Sequence, residues 1–232
     1  MFVDFESRSN RPEKMDDPSL SPRQLERTLR DLAALNDQIW GHRPTIDGIE
    51  ALVGDRDSVS ILDVGTGFGD VPRRIADWGA RQGVDVQVTG IDLSETTVEC
   101  ARRHSRSYDN IEFRRCNLFE LADEEQYDIV HAALMLHHLD DAQIVDGLRA
   151  MYDASRLGMV INDLHRHPIA YFGSHLLLRM LSENPVIHHD GALSILRAFT
   201  GDELREYCRR AHIAEPRLRW WPLFRWQLIA GR

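Results

Sequence analysis

Lysine is all but missing from this chain of 232 residues: Lys14 is the only one, and arginine supplies the rest of the basic side chains. The 28 basic residues are outnumbered by 37 acidic ones, a formal charge of -9, which disfavours a nucleic-acid backbone as the main partner because phosphate binding needs a basic footprint. Cysteine is scarce too. Cys100, Cys116 and Cys208 are widely spaced with no C-x-x-C pair, so neither a zinc ribbon nor a dithiol redox motif is spelled out, and reduced thiols in a cytoplasm are the simplest reading. No apolar run approaches the ~18 residues of a membrane span, and the acidic start MFVDFESRSNRPEKMDDP has no apolar signal region. The expectation is a cytoplasmic protein, neither exported nor inserted in a membrane. With 43% hydrophobic and 28% charged residues, no repeat and no low-complexity linker, the chain reads as one ordinary globular unit.

What is present is a rhythm of strands and helices. The polar, proline-interrupted residues 1 to about 20 read as an arm rather than a packed element. Ser21-Pro22 marks a helix start, and Leu25, Leu29, Leu32, Leu35 and Ile39 follow at helical spacing. A second helix is expected over Thr45 to Val53, so residues 1–54 would form an arm and a helical cap. Strands are expected at Val59 to Val64, Val86 to Asp92, Ile111 to Arg115, Tyr127 to Ala133 and Met159 to Asp163. Between them lie helices at Val71 to Arg81, Glu95 to His104 and Asp141 to Ala154. Nearly continuous apolar strands mean a parallel sheet with helices on both faces. After strand five come an apolar helix, Ile169 to Leu181, a loop NPVIHHDG, a helix Gly201 to Arg210, and two strands, Arg217 to Trp221 and Phe224 to Ala230, that read as a hairpin. The fold class is therefore α/β: a doubly wound, mostly parallel, seven-stranded Rossmann-like sheet closed by an antiparallel C-terminal hairpin.

The stretch ILDVGTGFGD, residues 61–70, places three glycines at alternate positions between a strand and a helix, where open α/β sheets bind ligands. Counting from Gly65 the pattern is G-x-G-x-G, with Asp70 where the last glycine of the dinucleotide fingerprint G-x-G-x-x-G would stand. A phosphate loop of the G-x-x-x-x-G-K-[ST] type is excluded because no lysine is there. Asp63 and Asp70 would repel pyrophosphate and attract an ammonium group. Asp92, ending strand two, is placed to accept both hydroxyls of a ribose and to reject a 2'-phosphate. These residues point to a nucleoside with a cationic or amino-acid-like tail.

On these residues the chain resembles the class I S-adenosylmethionine-dependent methyltransferases of the small-molecule branch. ILDVGTGFGD is similar to that family's first motif, GIDLS to its ribose motif, CNLFEL to the adenine edge and YDIVHAALMLHHLDD to the fourth strand and its turn. SILRAFTGDELREYCRRAHI resembles the helix after strand five, and PEKMDDP with HHDGALSILRAFT resembles bacterial enzymes acting on polyketide, aromatic or quinone-like metabolites. The resemblance implies that Asp63 meets the methionine ammonium, that Gly65, Thr66, Gly67 and Gly69 wrap methionine and ribose, and that Asp92 holds the ribose. Leu93, Asn117 and Leu118 would border the adenine, Asn117 standing where many members carry Asp, and His131 would lie beside the cofactor. It implies S-adenosylmethionine as cofactor, S-adenosylhomocysteine as product, and O-methylation of a small apolar or aromatic acceptor in preference to C- or N-methylation.

His137, in a turn similar to that of plant phenolic O-methyltransferases, is the candidate general base; a packing role is the alternative for it and for His138. His138, His165, Tyr171 and His189 are candidate acceptor contacts, and the spacing of the histidines does not suggest a metal site. Asp70 reads equally as a helix cap. Trp220, Trp221 and Trp226 read as sheet packing rather than a nucleic-acid surface. The apolar helix near Leu176 reads as part of a substrate lid at about 168–200 on a domain of residues 55–232, with a membrane-docking or homodimer face as the alternatives. Rival functions are a nicotinamide or nucleotide-sugar enzyme, disfavoured by the glycine spacing, and a non-catalytic cofactor-binding subunit.

Overall fold

A computed structural model describes residues 3–17, 19–121 and 126–232; Met1, Phe2 and Pro18 of the expected arm lie outside the described residues. Seven strands, β1 (Ser58–Val64), β2 (Asp85–Asp92), β3 (Ile111–Arg115), β4 (Tyr127–Ala133), β5 (Ser155–Leu164), β6 (Arg217–Trp221) and β7 (Arg225–Gly231), form one sheet in the order β3-β2-β1-β4-β5-β7-β6. The first five are parallel; β7 runs antiparallel to β5, and β6 to β7. The reversal of strand order between the parallel neighbours β1 and β4 opens a crevice at their carboxyl ends. This is the expected Rossmann-like sheet with its C-terminal hairpin.

The helices are α1 (Pro22–Gln38), α2 (Arg43–Val53), α3 (Asp70–Gln82), α4 (Glu95–His104), α5 (Asp141–Asp153), α6 (Pro168–Leu181), α7 (Pro185–Arg197) and α8 (Gly201–Arg210). Local chemistry fixes several of their starts. Ser21 with Gln24, Asp140 with Gln143 and Thr200 with Glu203 form reciprocal capping boxes, each satisfying two otherwise orphaned amides. One face of the sheet packs on α5 and α8 through Leu62, Val130, Ile144, Leu148, Met159 and Leu204. The other packs on α2 and α3 through Ile49, Ile61, Ile75, Trp78, Val86 and Val160. Thus α2 belongs to the sheet's own core, and α1 alone is left to lean over the crevice toward α4 and α7. Among the described residues no helix is long and apolar enough to cross a membrane.

Two expectations need correcting. NPVIHHDG is not a loop: Asn184 caps α7 by accepting from the Val186 amide, Pro185 opens the helix, and Ile187, Asp190 and Leu193 are buried in it. Nor is the arm unpacked. Its regular piece among the described residues is a single 3-10 turn, Lys14–Asp16, yet Glu13 is buried, Ser9 N–H donates to Leu196 O at 2.9 Å, and Arg8 reaches Asp141 at 2.7 Å and the carbonyls of Leu139 and Arg197. Arg166 fastens it further by donating to the carbonyls of Phe5 and Glu6.

Candidate active site

The three glycines of the turn after β1 all hold positive φ, at 72°, 53° and 71° for Gly65, Gly67 and Gly69, a region L side chains rarely enter. Their surroundings differ. A Cβ on Gly69 would press on Phe113 and Ala101, so that glycine lets the turn sit on β3 and α4. A Cβ on Gly67 would touch nothing nearer than Leu29 Cδ2 at 3.7 Å, and Gly67 N–H points to Asp92 Oδ2 at 3.3 Å. Only Gly67 therefore turns a bare stretch of backbone toward the crevice.

Acids sit at the ends of β1, β2 and β5, and their partners separate them. Asp63 is buried and bonded through Oδ1 to His131 Nδ1 at 2.8 Å; His131 Nε2 in turn lies 3.1 Å from Thr45 Oγ1 on α2. Asp163 is buried against His137 Nδ1 at 2.7 Å and also accepts from the Leu164 amide. Burial alone would raise its pKa, but His137 and that amide more than offset this and hold the carboxyl below its ordinary value. Among the described residues Asp92 has no side-chain hydrogen-bond partner: it accepts from the amides of Gly67 and Ser94, and burial pushes its pKa up. Asp70, at the start of α3, is raised to about 6 by burial and lies 3.4 Å from His42 Nε2. His42 is itself lowered to about 4, first by burial and then by the charge of Arg225.

His137 stands in a 3-10 turn, Leu136–His138, that follows Leu134, a non-glycine residue with φ of 51°. With Nδ1 on Asp163, Nε2 is left facing the arm, where Glu13 Oε1 lies 3.7 Å away. The carbonyl of His137 is held at 3.0 Å by Arg197 Nε. Glu13 Oε1 is buried without a hydrogen-bond partner, and burial raises its carboxyl to about 7, with the His138 charge opposing. The arm is clamped at this point: the amides of Lys14 and Met15 donate to the two oxygens of Asp190 on α7, and Asp16 meets His138 Nδ1 at 3.0 Å.

These groups share one cavity of ≈ 430 Å³. Asp63, Gly65, Thr66 and Gly67 line one wall, His137, His138 and Glu13 another, and apolar side chains of α1, α6 and α7, among them Leu29, Leu32, Leu177 and Ile187, line the rest. Asp92, Leu93, Asn117 and Leu118 lie along the sheet beyond it: Leu93 is 65% exposed, Asn117 caps a 3-10 turn by accepting from Phe119 N–H, and Leu118 is buried in the core. His131 lies beneath the cavity, wholly buried. His165, Tyr171 and His189 are outside the lining: His165 packs on Trp226, with burial depressing it to about 4, Tyr171 meets Phe5, and His189 bonds to Asp190. Glu13, Asp163, Asp190, Arg197 and Arg225 were not singled out from the sequence. For Asp163 a signal existed, since it ends a strand as Asp63 and Asp92 do.

Sheet order and the glycine turn after β1 define a Rossmann-like fold that this chain shares with solved methyltransferases. Residues 61–158 match the family described as "Methyltransferase domain". Ubiquinone biosynthesis O-methyltransferases of Bordetella avium and Acinetobacter baumannii are 34% and 31% identical to this chain over 59% and 62% of its length. The chain spans 57% and 62% of those relatives, about three fifths. A methyltransferase from Aquifex aeolicus, S-adenosylmethionine-dependent by its description, shares the fold with a TM-score of 0.65 at 16% identity, covering 92% of this chain and 99% of its own. The magnesium protoporphyrin IX methyltransferase of Synechocystis with bound S-adenosylhomocysteine does so with 0.57 at 18%, covering 83% and 84%.

Proposed function

We propose that this protein transfers a methyl group from S-adenosylmethionine to a hydroxyl of a small apolar or aromatic acceptor. The observation that carries the proposal is the shared cavity, in which the glycine turn and a carboxylate-oriented histidine face one space walled by apolar side chains. The residues present fit that cofactor. Asp92 keeps carboxylate lone pairs free beyond its two amide donors, as two ribose hydroxyls require, and Gly67 leaves the adjoining backbone uncovered. Asp63 and Asp70 flank the turn, and the nearest arginine, Arg73, is spent on the Phe68 carbonyl, which suits a cationic tail and not pyrophosphate. Asp92 and the turn would hold the nucleoside, and Asp63, with one oxygen engaged by His131, would face the ammonium with the other.

The bound cofactor supplies an electrophilic methyl on a sulfonium. The chain has three tasks: to align the acceptor, to exclude water and to take a proton. The apolar walls from α1, α6 and α7 perform the first two. His137 performs the third: Asp163 holds Nδ1, fixes the ring and stabilises the imidazolium formed when Nε2 takes the acceptor proton. Calorimetry with S-adenosylmethionine, S-adenosylhomocysteine and NAD, followed by methyl-transfer assays on hydroxylated aromatics, tests the reading; tighter binding of NAD would end it. His137→Ala should keep cofactor affinity and lower single-turnover rates about 10²- to 10⁴-fold for an acceptor of high pKa, while His138→Ala falls less. Unchanged rates for His137→Ala across pH would remove the base assignment.

A further inference from the structure

Arg225, the first residue of β7, lines the cavity and is only 4% exposed. Its guanidinium has five N–H donors. Those donors meet neutral oxygens: Nη2 donates to Asn36 Oδ1 at 2.5 Å, and Nη1 lies 3.4 Å from Asn162 Oδ1. Among the described residues no carboxylate lies within ion-pair distance of it. Glu13 faces His137 on the opposite wall, and the other acids around the cavity are engaged elsewhere: Asp63 by His131, Asp163 by His137, Asp70 by His42 and Asp190 by the amides of the arm. A buried cation without a counter-charge is costly, and proteins rarely keep one unless something else neutralises it. Burial depresses Arg225 to about 10 against the opposing charge of Asp163, which lies beyond ion-pair contact, and the field of Arg225 helps hold His42 down.

We propose that Arg225 is the carboxylate-binding residue of the cavity, reading an anionic carboxylate on a ligand through the donors its amide partners leave free. This rests on the cavity being the cofactor and acceptor site. Two ligands carry the chemistry there, the methionine tail of the cofactor and an aromatic acid serving as acceptor. Asn36 and Asn162 hold the guanidinium from α1 and β5, and Gly41 permits the approach, since a Cβ there would lie 2.8 Å from Nη2. Neutral amides position the group without cancelling its charge.

Two pairs of ligands that differ by one carboxylate test the assignment on wild type, Arg225→Gln and Arg225→Lys: S-adenosylmethionine against its decarboxylated form, and 3,4-dihydroxybenzoate against catechol. Binding is measured by calorimetry, each ligand alone. Wild type should prefer the carboxylate member of at least one pair by about 10- to 100-fold, as expected for a desolvated charge-assisted contact. Arg225→Gln should lose that preference, and Arg225→Lys should keep part of it. Preference in the first pair assigns the methionine tail; preference in the second assigns the acceptor. The inference is overturned if wild type prefers the carboxylate in neither pair, or if the preference survives intact in Arg225→Gln. If no form of S-adenosylmethionine binds wild type, the cofactor reading fails, while a 3,4-dihydroxybenzoate preference abolished in Arg225→Gln would still uphold Arg225. Circular dichroism and thermal melting of the ligand-free variants separate loss of recognition from loss of fold, because a folded Arg225→Gln that has lost the preference has lost recognition alone.

Discussion

Asp63 and Asp92 close neighbouring strands of the same sheet, and their surroundings could hardly differ more. The first is sealed against a histidine, which is itself tied to α2, so its charge is largely committed within the protein. The second accepts from two backbone amides and, among the described residues, from no side chain. The contrast extends along the crevice: on the β4 and β5 side, carboxylates are matched with histidines and roofed by the arm, whereas on the β2 side a carboxylate waits for donors. In the proposed site, an acid built into a pair would serve the fold with one oxygen and the ligand with the other, whereas an acid supplied only with amides would serve the ligand alone.

Three substitutions put that contrast at risk. The largest effect belongs to Asp63→Ala, which strands His131 in the core; a loss of roughly 3–5 kcal/mol in denaturant unfolding is expected from breaking a buried pair. Full stability would instead show that the His131 pair does nothing for the fold and make Asp63 a binding group alone, like Asp92. Next comes Glu13. Its folded carboxyl is raised to about 7 from an ordinary 4.5, so the folded state holds this proton more tightly than the unfolded chain. The stability this provides is complete below pH 4.5 and is lost as pH rises toward 7, by up to about 3 kcal/mol. Unfolding of Glu13→Gln across that window should therefore gain on wild type with rising pH; parallel curves would show that the arm places Glu13 in water. The smallest effect is that of Asp92→Ala, about 1.5–3 kcal/mol of cofactor affinity with the melting temperature of the ligand-free protein little changed. A stability loss as large as that of Asp63→Ala would erase the distinction.

The parts of the molecule built from local rules were legible in the sequence. The glycine turn, the acids at strand ends, the Ser21-Pro22 helix start and the alternation of strand and helix all declare themselves over short windows. The arm did not, because what packs it is remote: Arg166 and Arg197 grip its carbonyls from more than a hundred residues away, with no periodicity to betray them. Helix α7 was hidden by composition. Asn184-Pro185 carries the same start signal as Ser21-Pro22, but burial of residues on several sides removed the amphipathic stripe that would have confirmed a helix. Asp163 and Arg225 were overlooked for a shared reason. Each is a charge inside an apolar strand, and only the third dimension shows that Asp163 meets a histidine and Arg225 meets none of the acids around it.

The scarcity of lysine acquires a use once the arm is seen in place. Lys14 is exposed on the 3-10 turn, directly beside Glu13, and its amide is held by Asp190. An endoprotease specific for lysine thus has one place to cut, and it can cut there only after the strap has peeled from α7 and straightened into the protease's cleft. The rate of that single scission is a clock for how often the roof of the cavity lifts, and a ligand seated beneath the roof would slow it without any label being attached.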